Sequence, residues 1–384
     1  MSRPARSPLF LTTLLALAVT GADAKTPLVQ VLRIGTGFVT DLSSDGKTAV
    51  GQMNSNFETF RWTEETGMVG LGRNMYIRMG GAISGLPAVS ADGRSVASTI
   101  IDDTRTHGTQ GLWTVDAGWT QLAPPLPADG GVMDTEDSSV YGISRDGKVV
   151  TGLYWRPFQS GGSAHGSVWT AATNMQGMPT AGGSSRIDDA NGDGSVMVGW
   201  EEDPINGGRQ ATVWVGGVKS KLEAGSDWPS EAERVNTDGT VIVGQALNPV
   251  TQREEGALWR WNGTSWDKTS LGAIPGTTGS GYCYANGVSD AGDVVVGFCR
   301  PKFSVFQTTA FIWTPESGAV NLNTWLASQG AGFHGKRTAV NAMGLSADGL
   351  SIAIVTRETA PPFKTLSLLI RRSPPAAPAK RSAP

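Results

Sequence analysis

The chain has 384 residues, 51 of them glycine and 13 tryptophan, and a formal net charge of −3. A charge this close to zero leaves no electrostatic footprint for nucleic acid. Beyond the first 24 residues no apolar run reaches the roughly 20 residues needed to cross a bilayer.

Residues 1–24 read as a secretory leader. Arg3 and Arg6 give its positive start, Leu9 to Val19 its apolar stretch, and Ala22-Asp23-Ala24 a small-residue cleavage site. The apolar stretch is too short for a membrane anchor, and no cysteine follows it for lipid attachment. The expectation is an exported protein, secreted or periplasmic, of a Gram-negative bacterium.

From there to about residue 370 one phrase recurs seven times. Its turn glycines are Gly46, Gly93, Gly147, Gly194, Gly239, Gly292 and Gly349. Three positions earlier stands Ser or Asn in every copy, preceded by an apolar residue, and Asp precedes the glycine in all but the sixth, which has Ala291. Ser, Asn and Asp bond nearby backbone in turns, and glycine takes the positive φ of a bulged hairpin. Unbroken apolar runs such as Val294-Val295-Val296 follow, as expected of strands covered on both faces. Gly51, Gly152, Gly199, Gly244 and Gly297 are read as the ends of those strands.

Each copy carries a second landmark: Trp62, Trp113, Trp169, Trp214, Trp259, Trp313, and Leu368 in the seventh. Their fixed place in the repeat argues for packing between sheets over a sugar-stacking ladder. A short glycine turn and another short strand come next, so each copy gives two hairpins, or four strands. The seventh stops after its third strand near Ile370. Val29 to Ile34, followed by Gly35, resembles Met68 to Leu71 followed by Gly72, and supplies the missing strand. The expectation is an all-β, seven-bladed β-propeller of four-stranded blades over residues 25–372, its ring closed by the N-terminal strand. A Pro- and Ala-rich basic tail over 373–384 does not pack.

Ala310-Phe311-Ile312-Trp313, the strand to Leu322, and Val288-Ser289 to Gly297 resemble the bacterial extracellular HAF repeat. The likeness spans nearly all of the mature chain, and Thr309 stands where that repeat has His. The Ser-x-Asp-Gly turn is also similar to the repeats of TolB-like propellers. Both resemblances imply a propeller-like architecture and export, and neither implies a catalytic residue.

In a four-stranded blade the second-to-third connection and the link to the next blade share one end. Here these connections are long and variable: 102–108, 154–165, 201–208, 300–307 and 323–338. Recognition usually lives on such loops. They hold His107, His165 and His334, with Trp155, Arg156, Phe158 and Glu201 as further candidate ligand-binding residues. No metal-ligand spacing appears among them, and no cofactor is implied. Gly330 to Lys336 matches a phosphate loop only superficially, with Arg337 in place of Ser or Thr and no strand–helix context. Asp189 to Gly194 opens like a calcium loop, with Trp200 where a bidentate Glu belongs.

Counting outward from a Ser289–Asp293 pair sets Cys283 opposite Cys299, within disulfide reach in an oxidising compartment. A bulge further along would break that register. The functional expectation is a monomeric binding module for a glycan or peptide. The alternative is a propeller lyase or hydrolase using the loop histidines and carboxylates as acid and base.

Overall fold

The computed structural model describes residues 29–74, 85–104, 107–122, 137–155, 163–180, 183–223, 229–275, 281–301 and 307–373. The segment expected to be a leader (1–24) and nearly all of the expected tail (373–384) lie outside them.

Strand β1 (Val29–Gly35) precedes the first copy. Copy 1 forms β2 (Gly37–Leu42), β3 (Thr48–Met53), β4 (Glu58–Thr63) and β5 (Gly67–Asn74). Copy 2 forms β6 (Ala88–Val89), β7 (Ser95–Ile101), β8 (Gly108–Thr114) and β9 (Gly118–Leu122). Copy 3 forms β10 (Ser138–Ile143), β11 (Val149–Trp155), β12 (Ala164–Thr170) and β13 (Asn174–Gly177). Copy 4 forms β14 (Ser185–Ala190), β15 (Val196–Glu202), β16 (Arg209–Val215) and β17 (Val218–Lys221).

Copy 5 forms β18 (Ser230–Val235), β19 (Val241–Asn248), β20 (Arg253–Trp261) and β21 (Trp266–Gly272). Copy 6 forms β22 (Gly281–Val288), β23 (Val295–Pro301), β24 (Thr309–Thr314) and β25 (Gly318–Asn321). Helix α1 (Leu322–Ser328) leads to β26 (Arg337–Leu345), β27 (Ser351–Glu358) and β28 (Thr365–Arg372). Copies 1 to 4 each make a four-stranded antiparallel sheet. Copies 5 and 6 share an eight-stranded one, joined by a single parallel bridge between Glu254 and Tyr282. In the last sheet the order is β1-β28-β27-β26, so the N-terminal strand is its fourth.

The repeated turn explains its own residues. Ser43 Oγ donates to Asp45 Oδ1 at 2.6 Å and accepts the Thr48 N–H at 2.9 Å. Asp45 also accepts the Lys47 N–H at 3.0 Å. Copy 6 recovers its missing acid from the far side of the glycine, where Asp293 takes the Ser289 hydroxyl at 2.7 Å. The seven turn glycines sit at φ between +66° and +79°. Each also crowds the residue two past the turn glycine of the preceding copy. A Cβ on Gly93 would lie 2.2 Å from Thr48 Oγ1, and one on Gly194 would lie 2.5 Å from Val149 Cγ2. Gly46 stands in the same relation to Ser351, at 2.5 Å, so copy 1 leans on copy 7 as every other copy leans on its predecessor.

The glycines of the second strand do not end it. Gly152 lies inside β11 and Gly244 inside β19. They face a β-bulge that recurs in the first strand, whose extra residue is Thr40, Tyr141, Asp188, Glu233 or Asn286 in copies 1, 3, 4, 5 and 6. A Cβ on Gly152 would sit 1.9 Å from the Ser139 carbonyl oxygen, and one on Gly244 would sit 2.0 Å from that of Glu231. The bulge bends the first strand into its partner, and only glycine leaves room.

The tryptophans pack as expected. Trp62, Trp214 and Trp259 are buried, while Trp113, Trp169 and Trp313 are half-buried against core clusters. Their counterpart in copy 7 is Ile370 and not Leu368, because Ile370 faces Ile352 as Trp62 faces Ala49. Val31 then pairs with Ile370 as Met68 pairs with Trp62.

Cys283 and Cys299 are bonded, their Cα atoms 4.0 Å apart. The expected pairing is right through two offsets that cancel. The turn pairs Ser289 with Val294, one residue later than expected, and the bulge at Asn286 restores the register. Helix α1 was not anticipated in the 323–338 connection. It buries Leu322 and Leu326 against copies 6 and 7.

Candidate functional site

The first strands of successive copies lie against one another, β2 on β6, β6 on β10 and so on to β26, which lies against β2. Most of this column is apolar or small. In copies 4 and 5 it is charged: Arg186-Ile187-Asp188-Asp189 and Glu231-Ala232-Glu233-Arg234. Ile187 and Ala232 keep the core side of each strand, and the residues around them meet between the sheets.

Arg186 is at the centre. Its Nε lies 2.7 Å from Asp188 Oδ1, and its Nη2 lies 3.8 Å from both Glu231 Oε2 and Glu233 Oε1. Its guanidinium stands 4.3 Å from the centre of the Tyr141 ring and 5.3 Å from that of Trp200. Arg209 lies 4.0 Å over Trp200 and meets Glu231 Oε1 through Nη1 at 3.0 Å. In copy 6, Arg300 sits 4.8 Å over Tyr282 and donates to the Tyr284 hydroxyl at 3.1 Å. Tyr284 stacks on Phe298, ring centres 5.2 Å apart. These groups form an arc over copies 3 to 6, with Arg209, Tyr282 and Arg300 at the end of the long connections.

Burial dominates the electrostatics. It pushes the Glu233 carboxyl up to about 8, helped by the charges of Asp188 and Glu231 and opposed by Arg186 and Arg234. Burial also raises Asp188, to about 6, against the pull of Arg186. Arg186 is held well above its ordinary value because burial is outweighed by Asp188, Tyr141 and the two glutamates. Burial raises the Tyr284 phenol, with Arg300 opposing and Glu231 and Glu233 adding to the rise. Burial and the charge of neighbouring acids thus raise both carboxyls, with Arg186 opposing the rise at each. The Asp188 Oδ2 and Trp200 Nε1 atoms are buried without a hydrogen-bond partner among the described residues.

At the opposite end, near the repeated turns, Asp41 accepts the backbone N–H groups of Leu42 and Val89 at 2.8 and 2.9 Å. Asp189 is paired with Arg145 at 3.1 Å and accepts the Val235 N–H, so it is already engaged as a structural ion pair. A cavity of about 20 Å³ opens there beside Asp41, Arg145, Arg234 and Asp290. It has room for about one water.

The residues singled out from sequence fall in three places. His107 Nδ1 lies 3.7 Å from Asp137 Oδ1, and the Asp137 carbonyl accepts the Trp155 N–H at 3.0 Å. His165, buried beside Tyr154, lies with Nε2 2.9 Å from Ser163 Oγ. His107 thus reaches from copy 2 to Asp137 at the edge of copy 3, while the partners of Trp155 and His165 lie on the copy 3 side. Glu201 is paired with Lys219 at 2.7 Å in copy 4, and His334 is exposed between copies 6 and 7. Arg156 and Phe158 lie outside the described residues. Among the described residues no group of three or more His, Cys, Asp or Glu is arranged to hold a metal ion.

The arc itself was not foreseen. Its signal was present in the repeat, where copies 4 and 5 break the apolar pattern of the first strand with alternating charges.

No family model and no curated protein matches the chain. Solved structures do. Puromycin hydrolase superposes with a TM-score of 0.56 at 12% identity, over 89% of this chain and 54% of that one. The β-propeller domain of the Trilobed protease from Pyrococcus furiosus gives 0.51 at 10% identity, over 91% and 99%. TolB from Acinetobacter baumannii gives 0.42 at 12% identity, over 75% and 62%. The chain thus spans little more than half of puromycin hydrolase and under two thirds of TolB. At these identities the likeness is one of fold, and it places the chain among β-propeller domains.

Proposed function

We propose that this chain is an exported, monomeric, seven-bladed propeller of the HAF-repeat kind that binds a peptide or glycan at the end of its long connections. The closed circuit of first-strand contacts, the lean of Gly46 on Ser351 and the pairing of β1 with β28 support the seven-bladed ring. The disulfide suits an oxidising compartment.

One observation carries the binding reading. At the mouth formed by copies 3 to 6, arginines are fixed over aromatic rings by stacking and by buried acids. Rigid, partly exposed groups on a strand scaffold are the anatomy of a recognition site. Trp155, His107 and His165 form an outlying part of the same end.

A second reading, hydrolase or lyase, draws on Asp188 and Glu233, two neighbouring carboxyls whose environments set them at about 6 and about 8. The loop histidines do not converge on these carboxyls: His107 meets Asp137, His165 meets Ser163, and His334 is exposed between copies 6 and 7. A combined peptide and glycan array on the mature chain, with Arg209→Ala and Trp155→Ala as controls, separates the readings. Retained, saturable binding that weakens in Arg209→Ala supports recognition. Cleaved array ligands, with product formation abolished by Asp188→Asn, would replace it with catalysis.

A further inference from the structure

The aromatic rings of the arc are not open platforms. A guanidinium already lies over Trp200 at 4.0 Å and another over Tyr282 at 4.8 Å. A sugar needs an uncovered aromatic face to stack its ring, so this arrangement disfavours a glycan. What the stacking offers is the guanidinium edge. A guanidinium flat on a ring presents its N–H fork sideways in a fixed plane, which suits a carboxylate.

Arg209 meets that description. Its side chain is 43% exposed, and Glu231 fixes it through Nη1. Arg300 is fixed similarly by Tyr282 and the Tyr284 hydroxyl. The two stand at the same end of the sheets, Arg209 at the start of β16 and Arg300 near the end of β23, with β18 in contact with both β16 and β22.

We infer that this mouth takes the carboxylates of an acidic peptide, gripped by the guanidinium groups of Arg209 and Arg300. The inference rests on the binding reading above and narrows it to one ligand chemistry.

The test uses the full mature chain and four fluorescent probes: hexaglutamate, hexaglutamine, hexalysine and an oligogalacturonate. Hexaglutamate is expected to bind, hexaglutamine and hexalysine at least tenfold more weakly. Arg209→Ala and Arg300→Ala should each weaken hexaglutamate about tenfold, the value of one charged hydrogen-bonded contact. Arg209→Lys, which keeps the charge and loses the fork, should recover only part of the loss. Unchanged melting temperatures show that the variants remain folded, and a variant that fails to fold is replaced by Arg209→Lys alone.

Equal binding of hexaglutamate and hexaglutamine overturns the carboxylate assignment and leaves the binding reading standing. Binding of the oligogalacturonate in preference to hexaglutamate overturns the choice of a peptide. Failure of all four probes, together with an array without hits, removes both the inference and the reading beneath it.

Discussion

Two seams of this molecule share a backbone and differ in everything else. Between copies 7 and 1, Val39, Val340 and Met343 of the first strands pack with Phe60, Trp62 and Leu369 in an apolar cluster. Between copies 4 and 5 the first strands bring Arg186, Asp188, Glu231 and Glu233 together. The recurring bulge is present in both, carrying Thr40 and Met343 at one and Asp188 and Glu233 at the other. A buried ion cluster is a poor route to stability, because desolvation offsets most of its attraction. The apolar seam holds copies together, and the charged seam, with less to contribute to stability, is where the proposed binding function is to be tested.

The comparison can be broken first at the turn glycines, where the largest effect is expected. Gly46 combines a φ of +70° with close contact to Ser351, whereas Gly67 has a φ of +67° and nothing within 4 Å. Gly67→Ala should cost about 1 kcal/mol, the price of the left-handed backbone alone. Gly46→Ala should cost about 2–4 kcal/mol, because copy 7 must also give way. Denaturant unfolding of the two variants measures the difference. Equal costs would mean that copies 1 and 7 do not press together.

A smaller effect is expected at Glu233. Its carboxyl in the folded chain is raised to about 8, above the ordinary 4.5. The folded state therefore holds this proton more tightly than the unfolded chain does. Glu233 contributes its full stability below about pH 4.5 and loses it as pH rises through about 8. Glu233→Gln cannot lose that proton. The variant should match the wild type at pH 5 and exceed it by about 1–3 kcal/mol at pH 9. Parallel melting curves at the two pH values would show that Glu233 titrates normally.

Much of the scaffold was legible because it is repeated. A turn seen seven times identifies its glycine, its serine and its acid by position, and the closing strand is visible as one half-phrase displaced to the N-terminus. Single copies hid the rest. The bulge leaves no mark except the glycine opposite it, which is why Gly152 and Gly244 read as strand ends. Leu368 was preferred to Ile370 because an apolar run without tryptophan gives no register. Histidines drew notice by chemical type, yet His165 is buried against Tyr154 and His334 stands apart. The charged residues of β14 and β18 were informative as departures from the pattern that the other copies establish.

The account says that the repeat builds the scaffold and that its departure in copies 4 and 5 builds the site. The direct test is the variant that replaces the whole charged cluster, Arg186→Met, Asp188→Leu, Arg209→Met, Glu231→Leu and Glu233→Leu, compared with the wild type for melting temperature and for binding of hexaglutamate. The account predicts an equal or higher melting temperature, since well-packed apolar residues replace buried ions without loss, together with loss of binding. A variant that melts well below the wild type while the folded fraction still binds would contradict it, and would make the charged seam part of the scaffold.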